Sequence, residues 1–255
     1  MSSLRARCPS CRTFTAVAVG EGYECHSCGT TYAAGLVRVP RAWGQGGEGM
    51  ADGARIPLPY PETAVVERDT LDEQNEAVAQ ALSERPIVLG GCCCTHVGAA
   101  QGLARRVERL AVVWIDAHGD LNTPETSPSG NLWGMPFRML LDGGVVAAED
   151  AALIGARNLD PPESAFVTAV GIDDSLDRAL ADVDATYVAL DVDVLDPSEV
   201  DVLIPEPDGP SAAEIEALLR GIAARTTIIG IGVTGLLATD RDAVLAARML
   251  TAAGF

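Results

Sequence analysis

The chain has 255 residues, of which 48% are hydrophobic and only 4% aromatic, and it carries a formal net charge of -18. That length supports one aliphatic core with a small appendage, and that charge argues against nucleic acid or an anionic membrane as partner. The opening MSSLRARCPSC has no apolar leader and no run of about 18 apolar residues follows, so neither a secretory signal nor a transmembrane helix is expected, and a cytoplasmic location is.

In chain order, the first signal is Cys8-Pro-Ser-Cys11 followed by Cys25-His-Ser-Cys28. Each Cys-x-x-Cys turn can offer two thiolates to one tetrahedral ion, and together they supply a closed structural Zn²⁺ site. The intervening segment reads as two short strands about a glycine turn. Residues 1–35 therefore predict a zinc ribbon, a module too small to hold a fold without such a staple. A pair of disulfides is the alternative, disfavoured without a secretory signal. His26 is a spacer inside the second knuckle, and the near-neutral charge of the segment gives no reason to expect nucleic acid.

Beyond the ribbon the pattern predicts an α/β domain over residues 36–255. A first strand is expected near Leu36 to Pro40, then a long irregular Gly- and Pro-rich loop to residue 62. Apolar residues at helical spacing predict a helix over Glu73 to Leu82. Pro86 to Leu89 is a short buried strand ending in Gly90-Gly91-Cys92-Cys93-Cys94-Thr95-His96, and Val97 to Leu110 is helical. The Gly-Gly turn lacks the Lys and spacing of a phosphate loop. Cys92 and Cys94 read equally well as small buried hydrophobes, and His96 as a packed core histidine.

The centre of the chain is AVVWIDAHGDLNTPETSPSGNLWGMP, residues 111–136. A strand over Val112 to Asp116 puts Asp116, His118 and Asp120 at its C-terminal mouth, on one face if the extended geometry persists. Farther on, the buried strand Ala185 to Leu190 runs into Asp191-Val-Asp193. Four carboxylates and an imidazole at neighbouring strand ends repel one another unless a cation lies between them, and such an oxygen-rich set suits Mn²⁺ or a similar ion, one or two per site. Ser211 to Ala224 predicts a helix with a Ser211/Glu214 capping box. Thr227 to Val233 is a buried strand and Asp240 to Ala253 a terminal helix. Strands alternating with helices predict a doubly wound, mostly parallel sheet.

DAHGDLNTPETSPSGNLWGMP, ALDVDVLDP, IGARNLDPPE and PEPDGPSAAE resemble the arginase/agmatinase group, the ureohydrolases. The resemblance covers roughly residues 36–255. It implies a three-layer α/β/α fold, a binuclear manganese centre, hydrolysis of a guanidino C–N bond on a small amino-acid-like substrate, and homo-oligomers, often trimers or hexamers. By position it implies that Asp116 and Asp191 bridge the two metals, that His118 and Asp193 complete one of them, and that Asp120 binds the other. Asn122, Ser129 and Asn131 match the residues that hold the α-carboxylate of an amino-acid substrate, and Asp160 the residue that meets its α-amino group.

Three departures from the family pattern bear on chemistry. Cys93 stands where a metal-binding His is expected, and a thiolate suits Mn²⁺ less well than imidazole. Trp133 replaces the loop His that shuttles a proton to the leaving amine, and an indole cannot. Gly232 aligns with the Glu that pairs with the substrate guanidinium. The first reading is a metal-dependent guanidino or amidino hydrolase, with an arginine derivative such as N-hydroxyarginine fitting the altered pocket as well as arginine. The second is a binding or regulatory protein on a catalytically altered scaffold. A third is a different metal-dependent reaction on the same fold.

Overall fold

The computed structural model describes residues 5–255. The cysteine-rich segment forms an antiparallel sheet of β1 (Arg5–Ala6), β2 (Ala16–Val19), β3 (Gly22–Cys25) and β4 (Thr31–Tyr32) in that spatial order. The two strands expected about the glycine turn are β2 and β3, and β1 and β4 flank them.

The main sheet has seven strands, all parallel: β5 (Gly35–Val39), β6 (Glu62–Val65), β7 (Pro86–Gly90), β8 (Leu110–Ile115), β9 (Ala151–Ile154), β10 (Ala185–Asp191) and β11 (Ile228–Thr234). Their spatial order is β6-β5-β7-β11-β10-β8-β9. The interior strands are apolar on both sides, as a sheet covered on both faces requires. Alternate residues feed two cores. Leu89, Val113, Ile115, Val188 and Leu190 pack on one face against helices α7 (Ala212–Ala223) and α8 (Asp240–Ala252). Val88, Val112, Trp114, Tyr187 and Ala189 face the other way, toward α2 (Leu71–Ala81), α3 (Thr95–Ala104) and α4 (Pro136–Asp142). This is the doubly wound parallel sheet expected from the alternation of strands and helices, and the three-layer α/β/α arrangement that the family resemblance implies. The remaining helices are α1 (Glu48–Gly53), α5 (Pro161–Val170) and α6 (Leu176–Ala179).

Three features depart from the sequence reading. The helix expected from Val97 to Leu110 ends at Ala104, and Leu110 already opens β8. The stretch expected to be irregular to residue 62 contains α1 and delivers the chain to the edge strand β6, whose four half-exposed residues ETAV lack the apolar signature of an interior strand. The helix α5 opens on Pro161-Pro162, residues that fit a first helical turn because their missing N–H groups have no partner there.

The chain winds out to one edge with β6, returns through β7, jumps to β8 and β9, and comes back through β10 and β11. The C-terminal ends of β7, β11, β10 and β8 thus lie side by side at the point where the winding reverses. Open α/β sheets bind ligands in this crevice.

Candidate metal centre and active site

The crevice holds a cleft of about 160 Å³ lined by Cys93, Asp116, His118, Asp120, Asp191 and Asp193, with Asn122, Ser129, Trp133 and Asp160 farther out. Asp116 leaves the end of β8. Its carboxylate accepts the backbone N–H of His118 at 2.7 Å and the indole N–H of Trp114 at 3.1 Å. The extended geometry on which the shared face of Asp116, His118 and Asp120 depended stops at Ile115. Asp120 instead adopts a left-handed backbone, φ 51°. Asp191 ends β10, and a 3₁₀ turn over Val192–Val194 follows, in which Asp191 accepts the N–H of Asp193 at 3.0 Å. Convergence of these carboxylates therefore comes from tight turns at strand ends, not from the two-residue period of a strand.

Two groups of donors gather here. Cys93, Asp116 and Asp120 bring their ligand atoms within 4.8 Å of one another, as do Asp116, His118 and Asp193. Asp191 sits against the first group, its Oδ2 at 2.9 Å from Cys93 Sγ and accepting from Thr234 Oγ1, also at 2.9 Å. A side chain at Gly235, the residue after β11, would collide with the Asp191 carboxylate.

The electrostatics are those of crowded, buried carboxylates that repel one another. Burial, then repulsion from Asp193, lifts Asp191 to about 6. Burial, then repulsion from Asp116, lifts Asp193 to about 7. Asp120 is pushed well above the usual carboxylate range by burial and by Asp116. Burial works against the His118 imidazolium, but hydrogen bonds to Asp116 and Asp193 outweigh it and carry the group to about 12. Asp120 Oδ2 is buried without any hydrogen-bond partner. A buried acceptor left bare costs on the order of 1–3 kcal/mol, and a cation offsets that cost. The donors present, carboxylates with one imidazole and one thiol, therefore fit divalent ions.

Among the outer residues, Asn122 donates to Asp160 at 2.8 Å and accepts from Thr126 Oγ1 at 2.9 Å. Ser129 lines the cleft, and its Oγ accepts the N–H of Asn131. Asn131 is not brought to the cleft: its carbonyl oxygen accepts the backbone N–H of Gln45 at 3.0 Å. Trp133 forms a wall of the cleft beside Met50. Gly232 does not reach the cleft either. It lies inside β11, and a Cβ there would face Tyr187 Oη and His96 Nδ1. His96 is a core residue, bonded to Tyr187 at 2.8 Å and Thr234 at 3.2 Å, and burial drives it down to about 3, so it is neutral.

Three residues that hold the site were not singled out in the sequence. Glu163 is buried and accepts the backbone N–H groups of Leu121 and Asp160, each at 2.8 Å, tying the loop after β8 to the start of α5. The spacing Asp160-x-x-Glu163 is a capping-box signature that could have found it. Arg157 reaches the backbone carbonyls of Gly155, Val194, Asp193, Glu206 and Pro207. Glu206 lies 3.4 Å from His118 Nε2 and accepts from Asn158 at 2.6 Å. Neither of the last two had a local signal, since most of their partners lie in segments that follow other strands, far away along the chain.

In the ribbon, the four sulfurs of Cys8, Cys11, Cys25 and Cys28 gather within 4.8 Å. The cross pairs Cys8–Cys28 and Cys11–Cys25 stand 3.7 and 3.5 Å apart, and all seven cysteines are free. A hydrogen bond from Thr15 leads the causes that bring Cys25 down to about 5, toward the thiolate.

A sequence profile of the arginase family matches residues 45–253. The chain belongs to the arginase family. An arginase of Staphylococcus aureus (strain MRSA252) is 34% identical over 161 residues, 51% of this chain and 53% of that protein. One from Bacillus caldovelox is 35% identical over 162 residues, 50% of this chain and 54% of that protein. The chain thus spans about half the length of the curated relatives it matches. The crystal structure of an arginase from Bacillus cereus superposes with a TM-score of 0.76, covering 86% of this chain and 96% of that one at 24% identity. That last likeness speaks for the fold. The ribbon cysteines precede the part of the chain that matches the family.

Proposed function

We propose that this arginase-family protein is a metal-dependent hydrolase that cleaves a C–N bond of a guanidino or amidino group on a small amino-acid-like substrate. The observation that carries this reading is the buried carboxylate cluster at the switch point, with Asp120 Oδ2 aimed into it and unpartnered. Asp116, Asp120, Asp191, Asp193, His118 and Cys93 would hold one or two divalent cations, with Mn²⁺ the family expectation. When bound, they supply Lewis acidity and activate water near neutral pH.

The chain's own groups do the rest. Asp120, ionised once a cation offsets its buried charge, would take the proton of the attacking water and return it to the leaving amine. Asp160, with Asn122 fixed against it, offers a carboxylate to a substrate ammonium at the outer end of the cleft, and Ser129 offers a hydroxyl. Trp133 shields this space from water and moves no proton. Cys8, Cys11, Cys25 and Cys28 would hold a structural Zn²⁺. A homo-oligomer is the family expectation. No helix of the described residues is long and apolar enough to cross a membrane.

The test is release of urea or ammonia by the Mn²⁺-loaded full chain from a panel of guanidino and amidino amino acids that includes arginine and N-hydroxyarginine. Turnover abolished by Asp191→Ala is the expected result. Tight binding of such compounds without turnover would instead favour a binding protein on this scaffold.

A further inference from the structure

We propose that the two halves of the cluster are built for different ions: Cys93, Asp116 and Asp120 for a thiophilic divalent cation of the zinc class, and Asp116, His118 and Asp193 for a harder, manganese-class ion. The assignment rests on the metal-dependent reading above and concerns which ions the centre selects.

Sulfur enters only one half. Cys93 Sγ lies 2.9 Å from Asp191 Oδ2, 3.3 Å from Thr234 Oγ1 and 3.7 Å from Asp116 Oδ2. Its neighbours in the run of three cysteines do not join that group. Cys92 Sγ accepts the backbone N–H of Trp43 and packs with Cys94 and Met50 in a separate apolar cluster. Cys93 is therefore the one member of the run whose thiol meets the carboxylates.

Two further observations point to a ligand. Asp120 Oδ2, in the same half, is buried with no partner, on a residue 5% exposed. His96, three residues beyond Cys93, does not substitute for the sulfur. Both ring nitrogens of His96 are engaged, with Tyr187 and Thr234, and its ring is wedged edge-on against Trp114. The half that holds Cys93 thus offers one sulfur, a thiolate once a metal displaces its proton, and carboxylates, with no imidazole. Thiolate ligands select zinc and similar soft or borderline ions, whereas imidazole with carboxylates also serves manganese, the weakest binder of the first-row divalent series. Asp116 belongs to both groups and joins them into one centre.

The test uses the full chain, stripped by chelation and titrated with Co²⁺ as a spectroscopic stand-in. The first equivalent fills the ribbon and reports its four thiolates. Cobalt bound beyond that equivalent is expected to add a weaker thiolate-to-cobalt charge-transfer absorption, which disappears in Cys93→Ser while the ribbon band stays. In parallel, zinc-over-manganese selectivity of the non-ribbon sites is measured by competition and elemental analysis. It is expected to fall at least ~10-fold in Cys93→Ser and in Cys93→His. The near-isosteric Ser variant serves even if the bulkier His is not accommodated. Coincident cobalt spectra for wild type and Cys93→Ser, or two Mn²⁺ taken up with unchanged selectivity, would overturn the assignment. Turnover with Mn²⁺ alone and coincident spectra would sink it and leave the hydrolase reading standing. A Cys93-dependent band without turnover of any substrate would do the reverse.

Discussion

Asp116 accepts hydrogen bonds from Trp114 Nε1 and the His118 backbone, which fix its carboxylate for two groups of donors at once. His118 is steered in the same way, with Nδ1 3.0 Å from Asp193 and Nε2 3.4 Å from Glu206. Carboxylates behind a ligating imidazole orient it, and their loss costs roughly 10–100-fold in metal affinity. Glu206→Gln is therefore expected to weaken Mn²⁺ binding by about that factor while leaving the melting temperature of the metal-free chain unchanged, as read by calorimetric titration and thermal melts. The titration of the cluster has a definite sign. Asp191 at about 6 and Asp193 at about 7 sit above unfolded carboxylates near ~4, so between these values the folded apoprotein holds more protons than the unfolded chain. Its stability falls as pH rises through that window. His118, raised to about 12, adds stability that is full below the unfolded value of ~6.5 and drains away above it, in the same direction. Cys25, lowered to about 5, titrates with the opposite sign in the metal-free chain, so the cluster is read as the difference in melting temperature between wild type and Asp193→Asn. That difference should fall from about pH 5 to about pH 8, while the rise produced by Mn²⁺ in wild type grows, because cations bind the ionised carboxylates. A difference that rises with pH over this range would contradict the cluster as described.

At the scale of elements, the site depends on how strand ends are handed to the following segments. Glu163 belongs to α5 yet clamps the loop after β8, and Arg157 spans from the segment after β9 to the turn after β10 and the loop beyond it. Replacing the buried Glu163 by Gln removes a charged acceptor from two backbone N–H groups, at ~1–3 kcal/mol. Denaturant unfolding of Glu163→Gln should show that loss, together with weaker metal binding through the loosened Asp120. Arg157→Ala leaves five carbonyl contacts unmade and should cost a similar amount or more, with the Asp193 turn losing its anchor. Unchanged stability in both variants would mean that these loops hold themselves. The capping box of α7, by contrast, was legible in advance. Ser211 and Glu214 exchange backbone and side-chain hydrogen bonds as Ser-x-x-Glu spacing requires, because a cap is a matter of four consecutive residues.

At the scale of the whole molecule, the ribbon is docked on the edge of the main sheet. Arg7 and Glu62 exchange backbone hydrogen bonds at 3.0 and 3.1 Å, and Glu62 also pairs with the nearly buried Arg38 at 2.7 Å. Gly35, the first residue of β5, leaves room for the ring of Tyr23 from β3. The ribbon thereby covers part of the edge strand β6, where unpaired backbone would otherwise invite association. A structural zinc contributes folding energy outright, and 1 kcal/mol moves a domain of this size by roughly 2–4 °C. Cys11→Ser with Cys25→Ser in the full chain should therefore lower the first thermal transition by ~5 °C or more and raise the tendency to self-associate. A melt that matches wild type would show that the ribbon carries no share of the stability.

The sequence by itself determined what depends on neighbours along the chain. Apolar runs specified the interior strands, helical spacing and caps specified α2, α7 and α8, paired Cys-x-x-Cys turns marked the ribbon, and Asp-Ala-His-Gly-Asp and Asp-Val-Asp marked the carboxylates. It was silent on the short elements α1, β6 and α5, whose residues carry weak periodicity and whose place is set by what they pack against. Only the tertiary structure decided which strand ends meet, because the order β7-β11-β10-β8 brings together residues from Cys93 to Thr234 that no local pattern relates. It also decided side-chain direction. Asp120 is aimed inward by a left-handed backbone, Asn131 is turned toward Gln45, and Gly232 faces the core. Direction at a turn follows from backbone angles and long-range contacts, and a motif does not encode these.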